Sequence, residues 1–244
     1  MKFCVLSSGS KGNSTYLEIN NHKYLIDIGM NFLYISNNLK EIGVNPYEIE
    51  GVFITHIHED HIQGLKKFLK EVNPVVYLTK KIYDNIGLEI SNYVLLDEDN
   101  SLGFVETIRL SHDTPECIGY IYNCDDKNLV YITDTGYINQ KYFEKLYNKT
   151  AYILESNHDV DMLMNSSKPY FLKMRILGDE GHISNKDCLY YLKKFVGDNT
   201  KYIVLAHLSE ENNTEELALS NISDLSIENK LVAKQSKRIE AIEL

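Results

Sequence analysis

The stretch Thr55-His56-Ile57-His58-Glu59-Asp60-His61 places three imidazoles and a carboxylate within six residues, directly after the apolar run Gly51-Val52-Phe53-Ile54. Packing needs no such density of ligands, so the pattern points to metal chemistry. A strand ending at Ile54 releases the chain into a loop from which His56 and His58 can converge on one ion while Asp60 and His61 turn toward a second. Imidazole nitrogen and carboxylate oxygen suit zinc, and equally manganese or iron at a histidine-rich site. A binuclear site that keeps open positions needs about seven protein ligands. His112 follows the segment Phe104 to Leu110, Asp134 follows Leu129 to Ile132, and His207 follows Tyr202 to Leu205. Each stands where a strand runs out, and loops at strand ends are where a rigid sheet aims polar groups. The expected ligand set is His56, His58 and His112 for one ion, Asp60, His61 and His207 for the other, and Asp134 bridging.

The elements that must position these residues are legible in the periodicity. Phe3 to Leu6, Thr15 to Ile19 and Lys23 to Ile28 read as strands, the last two joined through Asn20-Asn21 as a hairpin. Phe32, Ile35, Leu39 and Ile42 recur at helical spacing up to Gly43, and Ile62, Leu65, Phe68, Leu69 and Val72 repeat the pattern with Pro74 as the stop. Val75 to Leu78 reads as a strand, Lys80 to Ile86 as a short helix, and Phe104 to Leu110, Gly119 to Tyr122 and Leu129 to Ile132 as strands. Helices then alternate with strands: Gln140 to Tyr147, Ala151 to Leu154, Lys186 to Phe195, Tyr202 to Leu205 and Glu215 to Ile222, with an alternating tail from Lys237 to Leu244 as an edge strand. Asn157 to Gly181 has no clean period, and a segment of that length either serves function, here by covering the site, or hides a helix. The expected fold is α/β (α+β), a four-layer αββα sandwich of two mixed β-sheets with outer helices and metals at the sheet ends. Residues 1–244 fit a single domain.

The order of an Asp-Gly strand, a His-x-His-x-Asp-His motif, a lone His, a lone Asp and a late His resembles the metallo-β-lactamase-fold hydrolases. Here it is met by Leu25-Ile26-Asp27-Ile28-Gly29, residues 56 to 61, His112, Thr133-Asp134-Thr135-Gly136 and His207. Four further segments are similar to the YycJ/WalJ subgroup: Leu6 to Ser14, Glu155-Ser156-Asn157-His158-Asp159, Gly181-His182-Ile183-Ser184-Asn185, and Ala206 to Asn213. That resemblance implies an exonuclease acting on DNA. In related nucleases such as ribonuclease J, a histidine placed like His182 is paired with an acidic residue at an earlier strand end, and Glu155 matches that place. His182 itself precedes the N-cap candidate Ser184 on a loop, from which an imidazole can reach a leaving group without ligating metal. Asp60, His182 and Glu155 are therefore the catalytic candidates, and Asp27 is expected to orient the metal-site loop. His158 and Asn157 resemble signature residues without an evident duty.

Lys and Arg total 25 against 35 Asp and Glu, a net charge of −10, which argues against adhesion to a polyanion through the overall field. Two divalent ions return positive charge where phosphate would approach, and local charge governs that approach. Lys66, Lys67, Lys70, Lys80 and Lys81 are candidate phosphate contacts, although such lysines are more often a solvated helix face. The Gly- and Ser-rich loop from Ser7 to Ser14 runs on into a strand, so it is not a P-loop and reads equally as a tight turn. His22 reads as a surface histidine. Cys4, Cys117, Cys124 and Cys188 form no CxxC pair and are expected buried and reduced, and the absence of a signal peptide or membrane-length apolar run leads to a cytoplasmic expectation.

These readings lead to a metal-dependent phosphodiesterase or nuclease with two divalent ions per chain, zinc first and manganese or iron(II) as alternatives, a DNA substrate and no membrane partner. The ions would lower the pKa of a shared water so that hydroxide attacks phosphorus. The alternative is a thioester or lactone hydrolase of the same fold, which would not require the pair Glu155 and His182.

Overall fold

The computed structural model describes residues 1–97 and 102–244. The chain divides into two compact units, one of Met1–Leu102, Thr114–Glu116 and Lys234–Leu244, the other of Gly103–Asp113 and Cys117–Ala233. Among the described residues there are two mixed sheets, of seven and six strands, one in each unit and both accompanied by helices. No described helix is long and apolar enough to cross a membrane.

In the first unit, β1 (Lys2–Ser7), β2 (Ser14–Ile19) and β3 (His22–Ile26) form an antiparallel meander. Asn20 and Asn21 link β2 to β3 with φ of 51° and 68°, the left-handed pair that a two-residue hairpin of right-handed twist requires. From β3 the sheet continues in parallel through β4 (Gly51–Phe53), β5 (Val75–Thr79) and β6 (Tyr93–Leu96). The crossovers carry α1 (Phe32–Glu41), α2 (Glu59–Ile62), α3 (Leu65–Val72) and α4 (Lys80–Asn85). The Asn31 side chain caps α1 by accepting from Tyr34 N, its buried face is Ile35 and Leu39, and Gly43 leaves it at φ 77°.

Two expectations change here. The single helix read from Ile62 to Val72 is split at Gln63-Gly64, because the backbone passes close against a neighbour: a Cβ at residue 64 would stand 2.0 Å from the Met30 carbonyl oxygen. Its end is set by Asn73 in the left-handed region at φ 54°, one residue before Pro74. The alternating tail is mostly not strand: Ile242–Glu243 pairs antiparallel to Lys2 and Phe3 at the sheet edge, and Lys237 makes an isolated bridge to Lys234.

In the second unit, β7 (Val105–Leu110), β8 (Cys117–Cys124) and β9 (Lys127–Ile132) are antiparallel neighbours, and β10 (Ala151–Glu155), β11 (Tyr202–Ala206) and β12 (Asn229–Val232) extend the sheet in parallel beside β9. The helices are α5 (Phe143–Leu146), α6 (Val160–Asn165), α7 (Tyr170–Leu177), α8 (Asn185–Phe195) and α9 (Glu215–Asn221). Tyr152 and Leu154 of β10 and Leu205 of β11 pack in one cluster with Leu192 and Phe195 of α8. Ser184 and Asp187 close a capping box at the start of α8, so its entry from the loop bearing His182 is fixed. The unpatterned segment from Asn157 to Gly181 contains α6 and α7. All four cysteines are free and buried.

Gly64→Ala should lower stability by about 1 to 3 kcal/mol, the usual cost of forcing a methyl into filled space, whereas Asn73→Gly should be close to neutral because glycine accepts its positive φ. Denaturant unfolding of both variants checks this. A Gly64→Ala protein as stable as the parent would contradict the close approach.

Candidate metal centre

The chain leaves several strands through strained residues. Asp27, Asp134 and His207 sit just past β3, β9 and β11 with φ of 58°, 58° and 55°, a region that costs an L-residue energy and that clusters at functional sites. All three are buried.

In the first unit, His56 and His58 lie on the turn after β4, and Asp60 and His61 on the single turn α2 that His58 begins. Asp27 has no solvent exposure, and its Oδ2 accepts from His61 Nδ1 at 2.7 Å and from Thr55 Oγ1 at 2.8 Å, while Oδ1 accepts from Thr55 N at 2.9 Å. Burial pushes the Asp27 carboxyl up from the usual carboxylate range, opposed by His61 and the Thr55 donors. Because the carboxylate must accept, His61 carries its hydrogen on Nδ1 and presents Nε2 as a lone pair, the orientation of an imidazole that binds metal. The His56 ring lies 4.0 Å from that of His61 and 4.8 Å from that of His58, centroid to centroid. Asn13 also belongs to this group: its Nδ2 is 2.9 Å from His61 Nε2 and 3.2 Å from Asp60 Oδ2, and its Oδ1 accepts from Gly9 N. The Gly- and Ser-rich loop thus delivers one amide to the motif, a duty that its composition did not announce.

In the second unit, Asp134, Glu155, His182 and His207 each offer a ligand atom within 4.8 Å of the others. Glu155, fully buried at the end of β10, is the hub. Its Oε1 accepts from His182 Nδ1 at 2.7 Å and lies 3.0 Å from His207 Nδ1, and its Oε2 accepts from Thr135 N at 2.9 Å. Burial pushes this carboxyl up, but His182 and His207 outweigh burial and hold it below the usual range. His207 Nε2 stands 3.4 Å from Asp134 Oδ1. His112, after β7, directs Nδ1 to the carbonyls of Glu180 and Gly181 at 3.1 and 3.2 Å, which again leaves Nε2 as the lone-pair nitrogen. Its ring is 5.1 Å from that of His182, and Arg175 of α7 pairs with the adjacent Asp113. Gly136 is required beside Asp134, since a Cβ there would meet the Asp179 carbonyl oxygen at 2.2 Å.

The unassigned signature residues form the support. Asn157 Nδ2 donates to the His207 carbonyl at 2.8 Å, and Asn213 Nδ2 donates to the carbonyls of Ser156 and Asn157 at 2.9 and 3.1 Å. Ser156 Oγ donates to Asn185 Oδ1 at 2.6 Å, and Asn185 Nδ2 to Asn213 Oδ1 at 2.9 Å. These buried amides lock the strand ends that bear Glu155 and His207 to the start of α8. His158 differs: it is 1% exposed, and among the described residues neither ring nitrogen finds a hydrogen-bond partner.

The donor chemistry of both groups fits a divalent cation: imidazoles fixed through Nδ1 by a carboxylate or carbonyl, with carboxylates beside them. Fold and site together define a metal-dependent hydrolase. A model of the metallo-beta-lactamase superfamily matches residues 8–207, and the chain belongs to that family. It is 36% identical over 230 residues to "Exodeoxyribonuclease WalJ" of Streptococcus pneumoniae serotype 2 (strain D39), covering 89% of this chain and 85% of that protein. To "Exodeoxyribonuclease YycJ" of Bacillus anthracis it is 33% identical over 237 residues, 92% of this chain and 89% of the other. Among solved structures it resembles the metallo-beta-lactamase fold protein YhfI from Bacillus subtilis at a TM-score of 0.73 and 15% identity, covering 98% of this chain and 99% of the other. The short form of human tRNase Z matches at a TM-score of 0.67 and 16% identity, with 98% and 99% covered. The fold is the metallo-β-lactamase fold.

Asp27→Asn should weaken metal binding by about 10- to 100-fold, the usual effect of removing the group that orients a ligating imidazole, measured by competition with a chromophoric chelator. An unchanged affinity would show that Asp27 serves only the backbone of the loop.

Burial pushes the His158 imidazole down from 6.5 to about 4. The unfolded chain therefore binds the proton more readily, so stability is complete above the unfolded value and is lost as pH falls from 6.5 toward 4, on the order of 2 to 3 kcal/mol. Urea unfolding of the metal-free protein at pH 7 and pH 4.5 should show the loss, and His158→Asn should flatten it. An equal slope in both proteins would place the titration elsewhere.

Proposed function

We propose that this chain is a DNA exonuclease in which residues 1–244 act as one hydrolase domain. His56, His58 and His112 would hold one divalent ion, Asp60, His61 and His207 a second, and Asp134 both. Zinc is the first candidate, with manganese and iron(II) as alternatives. Such ions supply an activated water and neutralise charge on the phosphate under attack. The observation that carries the reading is the Glu155 Oε1 to His182 Nδ1 hydrogen bond of 2.7 Å, since hydrolysis of a thioester or lactone has no need of it. Two relatives named exodeoxyribonuclease, each aligned over most of its length, support the choice of DNA.

Glu155 holds His182 in the tautomer that carries hydrogen on Nδ1 and stabilises the cation when Nε2 is also protonated, as the buried carboxylate of a catalytic triad does for its histidine. His182 Nε2 then donates to the departing sugar oxygen. Asp60 would act beside the attacking water as well as ligating. Glu155 contacts His207 Nδ1 too, so the same carboxylate orients a metal ligand and the acid.

His182→Ala should keep two ions per chain by elemental analysis yet lose on the order of 10² to 10⁴ in kcat on an oligonucleotide, the scale of a positioned general acid. Hydrolysis of bis(p-nitrophenyl) phosphate, whose leaving group needs no proton, should fall far less. Asp134→Ala should lose metal and activity together. If His182→Ala strips metal, or costs both substrates the same factor, the acid role is refuted. Turnover of a thioester or lactone with none of DNA would move the chain to the small-substrate hydrolases.

A further inference from the structure

A second surface of the Asp134- and His182-bearing unit has the composition of a base-binding site. Tyr137, Phe143, Tyr190 and Tyr191 line an open groove of about 370 Å³, with the amides of Asn139 and Gln140 at its edge. The volume is within the range of small-molecule sites. Tyr191 is buried and Phe143 partly so, their rings edge to face at 6.0 Å and 89°, while Tyr137 and Tyr190 remain 40% and 47% exposed. Buried rings make the floor and exposed rings the rim. This is costly in water unless something covers it, since each exposed tyrosine keeps apolar area wet.

The groove is preorganised. Tyr191 Oη accepts from Ile138 N at 3.0 Å, which ties the loop after Asp134 to α8, and Thr135 Oγ1 donates to the Tyr137 carbonyl at 2.7 Å. Asn139 Oδ1 accepts from Lys141 N at 3.0 Å, so its NH₂ is left to donate to a ligand. Lys194 Nζ lies 5.8 Å from the Tyr190 ring centre at the rim, and the Asp187 carboxylate acts on Tyr191 from the same helix. Aromatic faces for stacking, amides for base edges and an ammonium group beside a ring are features by which proteins hold unpaired bases. Tyr137 is three positions after Asp134, a span of at most about 11 Å, and Tyr190 lies on the helix that follows His182.

We infer that this groove binds an unpaired nucleobase of the DNA strand whose phosphodiester lies at Asp134 and His182, stacking it between Tyr137 and Tyr190. The inference rests on the nuclease reading for its substrate and on the groove for its location. A base seated there, a few nucleotides from the scissile bond, would set how many unpaired nucleotides the enzyme needs.

The test uses the full metal-loaded chain and single-stranded oligonucleotides with cleavage-resistant phosphorothioate linkages, so that binding is separated from turnover, each carrying 2-aminopurine at one of successive positions. Stacking quenches the probe, so one position should be quenched on binding. Tyr137→Ala and Tyr190→Ala should each weaken binding on the order of tenfold, within the range for one base stacked on one ring, and abolish the quench, while Tyr190→Phe keeps both. Both alanine variants should hydrolyse bis(p-nitrophenyl) phosphate like the parent, since it does not span the groove. Affinity and quench unchanged in Tyr137→Ala and Tyr190→Ala would overturn the inference even if DNA is degraded. A tyrosine-dependent quench in a parent protein that cleaves no DNA would keep the groove and defeat the nuclease reading instead. If the tyrosine variants lose self-association in sedimentation and bind DNA normally, the groove belongs to a second copy of the chain and the inference fails.

Discussion

Each unit buries one carboxylate completely and holds it against imidazole. Asp27 and Glu155, both without solvent exposure, accept from a histidine Nδ1 at 2.7 Å, His61 in the first unit and His182 in the second. An ion taken out of water costs several kcal/mol unless it is paired and hydrogen-bonded, so these carboxylates demand their partners, and the partners are thereby fixed. Thr55 completes the shell of Asp27 with two donors, and Thr135 N with His207 completes that of Glu155. What stabilises the buried charge therefore also decides which ring nitrogen faces outward. Removing either carboxylate would take away the acceptor that orients its histidine, and removing the histidine would leave the carboxylate on its remaining partners, Thr55 for Asp27 and Thr135 N with His207 for Glu155.

Holding these groups still is the task of the sheet ends. Asp27, Asp134 and His207 occupy left-handed backbone that only a rigid surround can enforce, and parallel strands with buried faces provide it. The amides of Asn157, Asn185 and Asn213 extend the same logic into the second unit, where a fully satisfied polar network specifies one arrangement and a half-satisfied one would be worse than an apolar core.

The sequence made the ligand-bearing motif and most strands legible because both are local. Three imidazoles between a short apolar run and a helix can be seen in a dozen residues, and Asn20-Asn21 announces its own hairpin. What escaped was set by contacts remote in sequence. β6 alternates in burial, with Tyr93 and Leu95 at 40% and 41% exposure and Leu96 buried, but all four of its residues are apolar, so no alternation shows in its sequence. The break at Gly64 depends on Met30, and α7 was hidden because Tyr170 and Phe171 point apolar rings outward at 69% and 74% exposure. At the site, Asn13 reaches His61 across 48 positions of sequence, and Glu155 reaches His207 across 52. The segments that resemble the YycJ/WalJ subgroup gave Glu155 its place beside His182 but held Asn13, Asn157 and Asn213 without a duty, which only the hydrogen bonds supply.

The charge balance also acquires a local meaning. A chain of net charge −10 proposed to act on a polyanion needs local cations, yet Lys67 and Lys80 are paired at i, i+4 with Glu71 and Asp84. Lys66 and Lys70 instead line an opening of about 430 Å³ beside Asn73 and Ile90. In the second unit the carboxylates of Asp134 and Glu155 share one cluster, and the charge of Asp134 works against the ionised form of Glu155. Like charges at that range repel, yet His182 and His207 outweigh the repulsion and hold Glu155 below the usual carboxylate range, and a divalent cation at Asp134 would remove the rest. Such an ion would leave Glu155 to His182 and His207, so the same two imidazoles that keep this carboxylate ionised also keep it available to orient them.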